Sequence, residues 1–332
     1  MTNNSKMFDP RFGKRAAYFV GRDDVLRDLR AALADPEEQY RVTILSGIKG
    51  SGKSSILSEV RTNPGTSDIV FAEFKGEEFM AVAPVAPLGS ATSFEPGSGS
   101  AKVFLIDDVS ASMPGFKGFI TDFSRRVHNG EDIKLILAGL PHDIDELLKD
   151  DRLSYLRIAR RISLGYLRTD EVLTLFVEAF DEEGKEPVEE TVLRRAAEAT
   201  AGYPYMIQLV GYYLSKEEKN PDDKAVDKAI FLAKIELYKN IHEPVIWSLS
   251  SKDRMFLWAM AQDEGSSEFG EIARRMNVSA GYASKYRERL INAGVIYRSA
   301  YGELAFTFPF MKEYVEKEFI ELFGGEGGKR RL

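Results

Sequence analysis

The 332-residue sequence contains no cysteine. That absence excludes disulfides, zinc–thiolate centres and a cysteine nucleophile, and it suits a reducing compartment, so the expected location is the cytoplasm. Histidine is scarce too: His128, His142 and His242 lie far apart and lack metal-ligand spacing. They read as ordinary surface or core residues. No apolar run approaches the length of a membrane span, and residues 1–6 lead into no apolar signal region, so neither a membrane partner nor a signal peptide is expected. A positive excess is also missing. The formal net charge of −7 argues against the whole surface binding nucleic acid, though it leaves room for one local basic face. What is present is an ordinary globular composition, 44% hydrophobic and 29% charged, in a chain long enough for two or three domains.

Against that background residues 47–54 stand out: Gly47, Ile48, Lys49, Gly50, Ser51, Gly52, Lys53 and Ser54. An apolar, β-branched run at 41–45 precedes them, and a run with helical spacing follows at 55–61. Strand, glycine loop and helix together are the context of a phosphate-binding loop. Glycines let consecutive N–H groups turn inward around phosphate oxygens, and the helix N-terminus adds a favourable dipole. The candidate ATP contacts are therefore Gly47, Lys49, Gly50, Ser51, Gly52, Lys53, Ser54 and Ser55. Lys53 is expected to reach the β- and γ-phosphates, and the Ser54 hydroxyl to ligate Mg²⁺. A second acidic element, Phe104-Leu105-Ile106-Asp107-Asp108, is an apolar strand delivering carboxylates to the sheet edge. Asp107 is assigned to Mg²⁺ through its water shell, and Asp108 to orienting or deprotonating the attacking water. Asp108 and Lys53 are thus the candidate catalytic pair for hydrolysis of ATP to ADP and phosphate.

Strand patterns at 41–45, 69–74, 102–108, 134–139 and 162–164 alternate with helical ones, which predicts an α/β P-loop core around a parallel sheet. From 81 to 101 the chain is Ala, Pro, Gly and Ser with little periodicity, and it reads as a flexible loop. From 169 the pattern is helical, with a last long helix ending before Pro244. Two further helices, then strands at 295–299 and 303–308 around a turn, predict a winged helix. The division is 1–167, nucleotide-binding core; 168–244, helical lid; 245–323, winged-helix domain; and 324–332, a disordered tail. The second helix of the winged helix carries Tyr282, Lys285, Arg287 and Arg289, and Arg298 falls on the wing. Lys285 and Arg289, four apart, are read as sharing a face, and the set is the expected surface for double-stranded DNA. Glu288, Glu313, Glu316 and Glu318 offset these charges, and winged helices also contact proteins, so a protein partner is the alternative.

The order of these elements resembles that of AAA+ ATPases, on the branch that includes origin-recognition and replication-licensing ATPases and the STAND signalling ATPases. The resemblance rests on Phe19-Val20-Gly21-Arg22-Asp23, on 47–54 and 104–108, and on the sensor 1-like run Ile136-Leu137-Ala138-Gly139-Leu140-Pro141. Gly202-Tyr203-Pro204 and the C-terminal winged helix complete it, so it spans nearly the whole chain. It implies that Val20, Gly21 and Arg22 border the adenine. It also implies that Pro204 packs near the nucleotide, as in the Gly-x-Pro motif of STAND lids. The implied role is a nucleotide-dependent switch, DNA-associated or, alternatively, a signalling, defence or transposition accessory ATPase with a protein partner. In a homo-oligomer an arginine finger would enter a neighbour's site, and Arg152, Arg157, Arg160 and Arg161 lie where such fingers occur. Three departures point to slow turnover. Asp108 stands where many AAA+ proteins have glutamate, Ala138-Gly139 offers no polar side chain to a γ-phosphate, and the lid has no arginine after Gly202.

Overall fold

A computed structural model describes residues 8–11, 21–65, 69–75, 101–181, 187–217 and 220–323. The chain divides into two compact units, 1–223 and 224–332. The loop expected at 81–101 lies outside the described residues except for Ala101, which opens a strand instead; the tail at 324–332 lies outside them as well.

The first unit runs α1 (Asp23–Ala34), β1 (Val42–Ser46), α2 (Lys53–Thr62), β2 (Ile69–Lys75), β3 (Ala101–Asp107), α3 (Phe116–His128), β4 (Ile133–Gly139), α4 (Pro141–Lys149), a 3-10 segment Asp151–Ile158, and β5 (Arg160–Ser163). These five strands form one parallel sheet in the order β2-β3-β4-β1-β5. Both faces of the sheet are covered. Leu45, Val103, Leu105 and Ile136 pack with Leu29 of α1 and Ile56 and Val60 of α2. Ile44, Phe104, Ile106, Leu135 and Leu137 pack with Phe116, Phe119 and Phe123 of α3 and Ile144 of α4. Alternate residues of the central strands thus enter opposite cores, so every position of β4 is buried and β1, β3 and β4 are mostly apolar. One of those buried positions is Lys134, whose ammonium donates to the carbonyls of Leu33 (2.8 Å) and Asp35 (2.6 Å) and so satisfies the C-terminal end of α1. After β5 come α5 (Thr169–Phe180), α6 (Glu190–Glu198) and α7 (Pro204–Leu214).

The second unit takes up α8 (Asp223–Leu237), followed by a π-helical turn Tyr238–His242 and α9 (Glu243–Trp247). The long helix α8 ends at Leu237, before Pro244 as expected, and Pro244 itself sits in the first turn of α9, where a missing N–H has no intrahelical partner to lose. Next are α10 (Ser251–Ala261), β6 (Ser267–Glu268), α11 (Phe269–Arg275), α12 (Ala280–Asn292), β7 (Ile296–Ala300), β8 (Glu303–Phe306) and α13 (Met311–Phe323). The strands form an antiparallel sheet in the order β6-β8-β7. Helix, helix, helix and hairpin follow in the order of a winged helix, with Phe256, Leu257, Ile272, Ala283, Leu290, Ile296 and Leu304 in its core.

His242 is fully buried among the rings of Tyr238, Phe308 and Tyr314. Burial disfavours the imidazolium and pushes its pKa down to about 3. A proton that the unfolded chain accepts near its ordinary pKa is thus refused by the fold, so stability is full above pH ~6.5 and falls as pH drops toward 3. Urea unfolding should show His242 costing about 2 kcal/mol between pH 7 and pH 5. His242→Phe should lack that component; an identical pH dependence in the two proteins would refute the assignment.

Candidate functional site

The loop 47–52 leaves the end of β1 and enters α2 at Lys53. Because all five strands point one way, the end of β3 reaches the same edge, across β4. Two residues separated by 53 positions meet there: the Ser54 hydroxyl donates to Asp107 Oδ2 at 2.5 Å. Asp107 is buried, and burial raises its pKa, opposed by the Ser54 hydrogen bond. Its other oxygen accepts from the Asp108 N–H at 3.0 Å. Asp108 itself is exposed and has φ +54°, so its carboxylate leaves the strand end in a direction that extended backbone would not give.

Lys53 is almost completely buried. Its ammonium donates to the carbonyls of Gly47 (2.8 Å) and Ile48 (3.1 Å). Burial lowers its pKa, while Asp107, Asp108 and Asp143 raise it. Asp143 was absent from the sequence reading. It lies in the first turn of α4, directly after the sensor 1-like strand, and its own pKa is raised chiefly by burial. The sequence signal was Pro141 opening a short helix with an acid in its first turn, the standard pattern of a helix start. A carboxylate therefore stands near Lys53 and Asp108 where Ala138 and Gly139 present no polar side chain.

The remaining loop residues make a cradle. The Ser51 N–H donates to the Ile48 carbonyl at 3.2 Å, closing a turn, and the buried Ser51 Oγ has no partner among the described residues. Gly47 N–H donates to the Gly139 carbonyl at 3.3 Å, fastening the loop to the end of β4. Lys49 lies within that turn and Ser55 in the first turn of α2. An unpartnered buried hydroxyl, a buried ammonium and a helix N-terminus fit the phosphate groups of a nucleotide. Ser54 and Asp107 fit Mg²⁺. Among the described residues no group of three or more His, Cys, Asp or Glu has metal-holding geometry. A nucleotide-linked Mg²⁺ needs only one or two protein oxygens, with water and phosphate supplying the rest.

The other expected contacts lie on the segment after β5 and at the start of α7. Arg22 donates to the Gly165 carbonyl, and burial lowers its pKa. A Cβ at Gly21 would lie 2.8 Å from Leu167 and 3.0 Å from Glu171, so Gly21-Arg22 packs on the segment joining β5 to α5. Val20 lies outside the described residues. Pro204 starts α7, next to the buried Tyr203, whose hydroxyl donates to the Lys49 carbonyl at 2.5 Å.

In the second unit the basic residues are less available than their spacing suggested. Arg289 does not share a free face with Lys285. It binds Asp253 Oδ1 through Nε (2.8 Å) and Nη2 (2.5 Å), while Asp253, 2% exposed, closes the capping box of α10 with Ser250. Arg287 lies over the Phe269 ring at 4.4 Å, and both Arg287 and Arg298 bind Glu288, at 2.9 and 2.8 Å. Side chains reach partners on other elements, which helical spacing does not encode. Lys285 is exposed with no carboxylate partner among the described residues, and Tyr282, exposed too, accepts from the Tyr286 hydroxyl at 2.8 Å.

Residues 18–98 match the AAA ATPase domain family, and residues 239–315 match a domain of unknown function, DUF8462. No curated protein matches the chain. Among solved structures it resembles the Aeropyrum pernix ORC2 protein in ADPNP–ADP complexes, at 13% identity, TM-score 0.59, with 96% of this chain and all of the other covered. The ADP form of the same protein aligns at 12% identity and TM-score 0.53, covering 95% and 99%. The Aeropyrum pernix ORC1 protein in complex with DNA aligns at 14% identity and TM-score 0.51, covering 97% and 98%. No helix among the described residues is long and apolar enough to cross a membrane.

Proposed function

We propose that this chain, which has the fold of an origin-recognition-type AAA+ ATPase, is a slow ATP hydrolase that works as a nucleotide-dependent switch and associates with double-stranded DNA through its second unit. The observation that carries the nucleotide reading is the meeting of Ser54 with Asp107 at 2.5 Å beside the buried Lys53. Gly47, Gly50, Ser51, Gly52 and the first turn of α2, through Ser55, would hold the phosphates; Gly21, Arg22 and Pro204 would border the base and sugar. Ser54 and Asp107 would hold Mg²⁺, which when bound neutralises charge on the phosphoryl group. Asp108 would orient the attacking water, and its short side chain suits a slow rate. Core, lid and DNA-facing domain correspond in this reading to 1–167, 168–244 and 245–323. A neighbouring copy would supply Arg161. Its guanidinium donates to the Arg157 carbonyl and has no carboxylate partner among the described residues, whereas Arg152, Arg157 and Arg160 pair with Asp150, Asp151 and Glu38.

Asp108→Asn should leave ATP and Mg²⁺ affinity nearly unchanged and slow phosphate release about 10²-fold or more, the usual scale for losing a general base. Wild-type protein that releases no phosphate under any condition removes the catalytic role of Asp108.

The DNA reading is supported by the ORC1 neighbour in complex with DNA and by the exposed Lys285 and Tyr282 on α12. Lys285→Ala should reduce the salt slope of duplex binding by about one phosphate contact. Arg289→Ala is a different experiment: it strands the buried Asp253 carboxylate and should destabilise the unit by about 1–3 kcal/mol. A second reading, a protein partner as in STAND-like signalling, is favoured by the pairing of Arg287 and Arg298 with Glu288. Absence of duplex binding by wild type in low salt with ATP present would select it.

A further inference from the structure

Tyr203 lies between Gly202 and Pro204 at the start of α7. It is fully buried. Tyr166 and Tyr205 hold its ring edge-on, with centroids at 5.9 and 6.4 Å. Its hydroxyl donates to the carbonyl of Lys49, 154 positions away, at 2.5 Å. The loop admits this contact because residue 50 is glycine. A Cβ there would lie 2.4 Å from the phenol oxygen, and the backbone has φ +78°.

The phenol therefore acts on one peptide group, Lys49–Gly50. A trans peptide is planar, and its C=O and N–H point in opposite directions. Holding the carbonyl on the tyrosine aims the Gly50 N–H away from it, and that N–H has no partner among the described residues. The adjacent Ser51 hydroxyl is buried and likewise has no partner among the described residues. A glycine-flanked peptide rotates easily unless something holds it; a hydrogen bond in a dry, low-dielectric contact does so. The holder is itself seated, because the Leu167 N–H donates to the Gly202 carbonyl at 2.8 Å.

We infer that Tyr203 is a positioning residue: its hydroxyl pins the Lys49–Gly50 peptide with the Gly50 N–H turned to the phosphate side of the loop. The order of the phosphate loop is thereby tied to the seating of the helical segment that begins at Gly202. This rests on the phosphate-site reading of residues 47–54 and extends it to a residue outside that loop.

Tyr203→Phe keeps the ring and removes one oxygen. With the melting temperature unchanged within a few degrees, amide exchange across residues 47–53 in nucleotide-free protein should accelerate about tenfold, and ADP affinity should fall about tenfold. Placing 4-aminophenylalanine at 203 restores a donor and should recover both, which a purely packing role would not. Unchanged loop exchange in folded Tyr203→Phe overturns the inference, and so does faster exchange with undiminished ADP affinity. Wild-type protein that binds no ADP sinks the phosphate-site reading instead, and loop exchange alone then decides whether Tyr203 pins the peptide.

Discussion

Lys53→Ala is expected to weaken ATP binding by at least tenfold. The ammonium is buried and already aimed into the loop, where it donates to the Gly47 and Ile48 carbonyls. A charge-assisted contact from such a group to phosphate is worth about 1.5–3 kcal/mol, or roughly 10- to 150-fold in affinity. Removal also leaves Asp107, Asp108 and Asp143 without the cation that faces them, so phosphate would meet an uncompensated negative field. Lys53→Arg is not a rescue, because a planar guanidinium is too large for the same enclosed position. Calorimetry on the folded variant decides the matter, and near-normal ATP affinity in Lys53→Ala would defeat the site assignment.

The largest stability loss is expected from Gly202→Ala. A Cβ at this position would lie 1.9 Å from the carbonyl oxygen of Leu167, a backbone atom that cannot rotate away. The residue also has φ +67°, a left-handed conformation that costs an L-residue about 1–2 kcal/mol before any clash. Together these should remove about 3–5 kcal/mol of stability, at the far end of what single substitutions do. Tyr203 would lose its seat on the phosphate loop with it. Gly118→Ala in α3 is the control, since a Cβ there meets nothing within 4 Å, and it should be neutral or stabilising by up to about 1 kcal/mol. A Gly202→Ala protein that melts with wild type would mean the contact with Leu167 is not made.

How far the sequence could be read follows from the range of each interaction. The loop 47–54 is eight contiguous residues between a strand and a helix, so covalent geometry and local propensity suffice to specify it. The strands of the sheet were legible for the same reason: burial on both faces writes itself as unbroken apolar runs. Helix α13 went unread, because its flanking signals are weak and its partners lie on other elements. The long helix α8 ends before Pro244, as read, but the π turn and the new helix holding Pro244 were not legible.

Only the tertiary structure decided which side chains meet. Asp143 reaches the Lys53 neighbourhood because β4 lies between β1 and β3, a strand order that no local pattern states. Tyr203 finds the Lys49 carbonyl across 154 positions. Arg287 and Arg289 on the helix and Arg298 on the wing were read as part of a DNA-facing basic set, yet each turns to a carboxylate: Glu288 for two of them, Asp253 for the third. Charge in a sequence is a count of groups, whereas charge at a surface depends on which opposite group lies within a few ångströms, and that distance is a property of the fold.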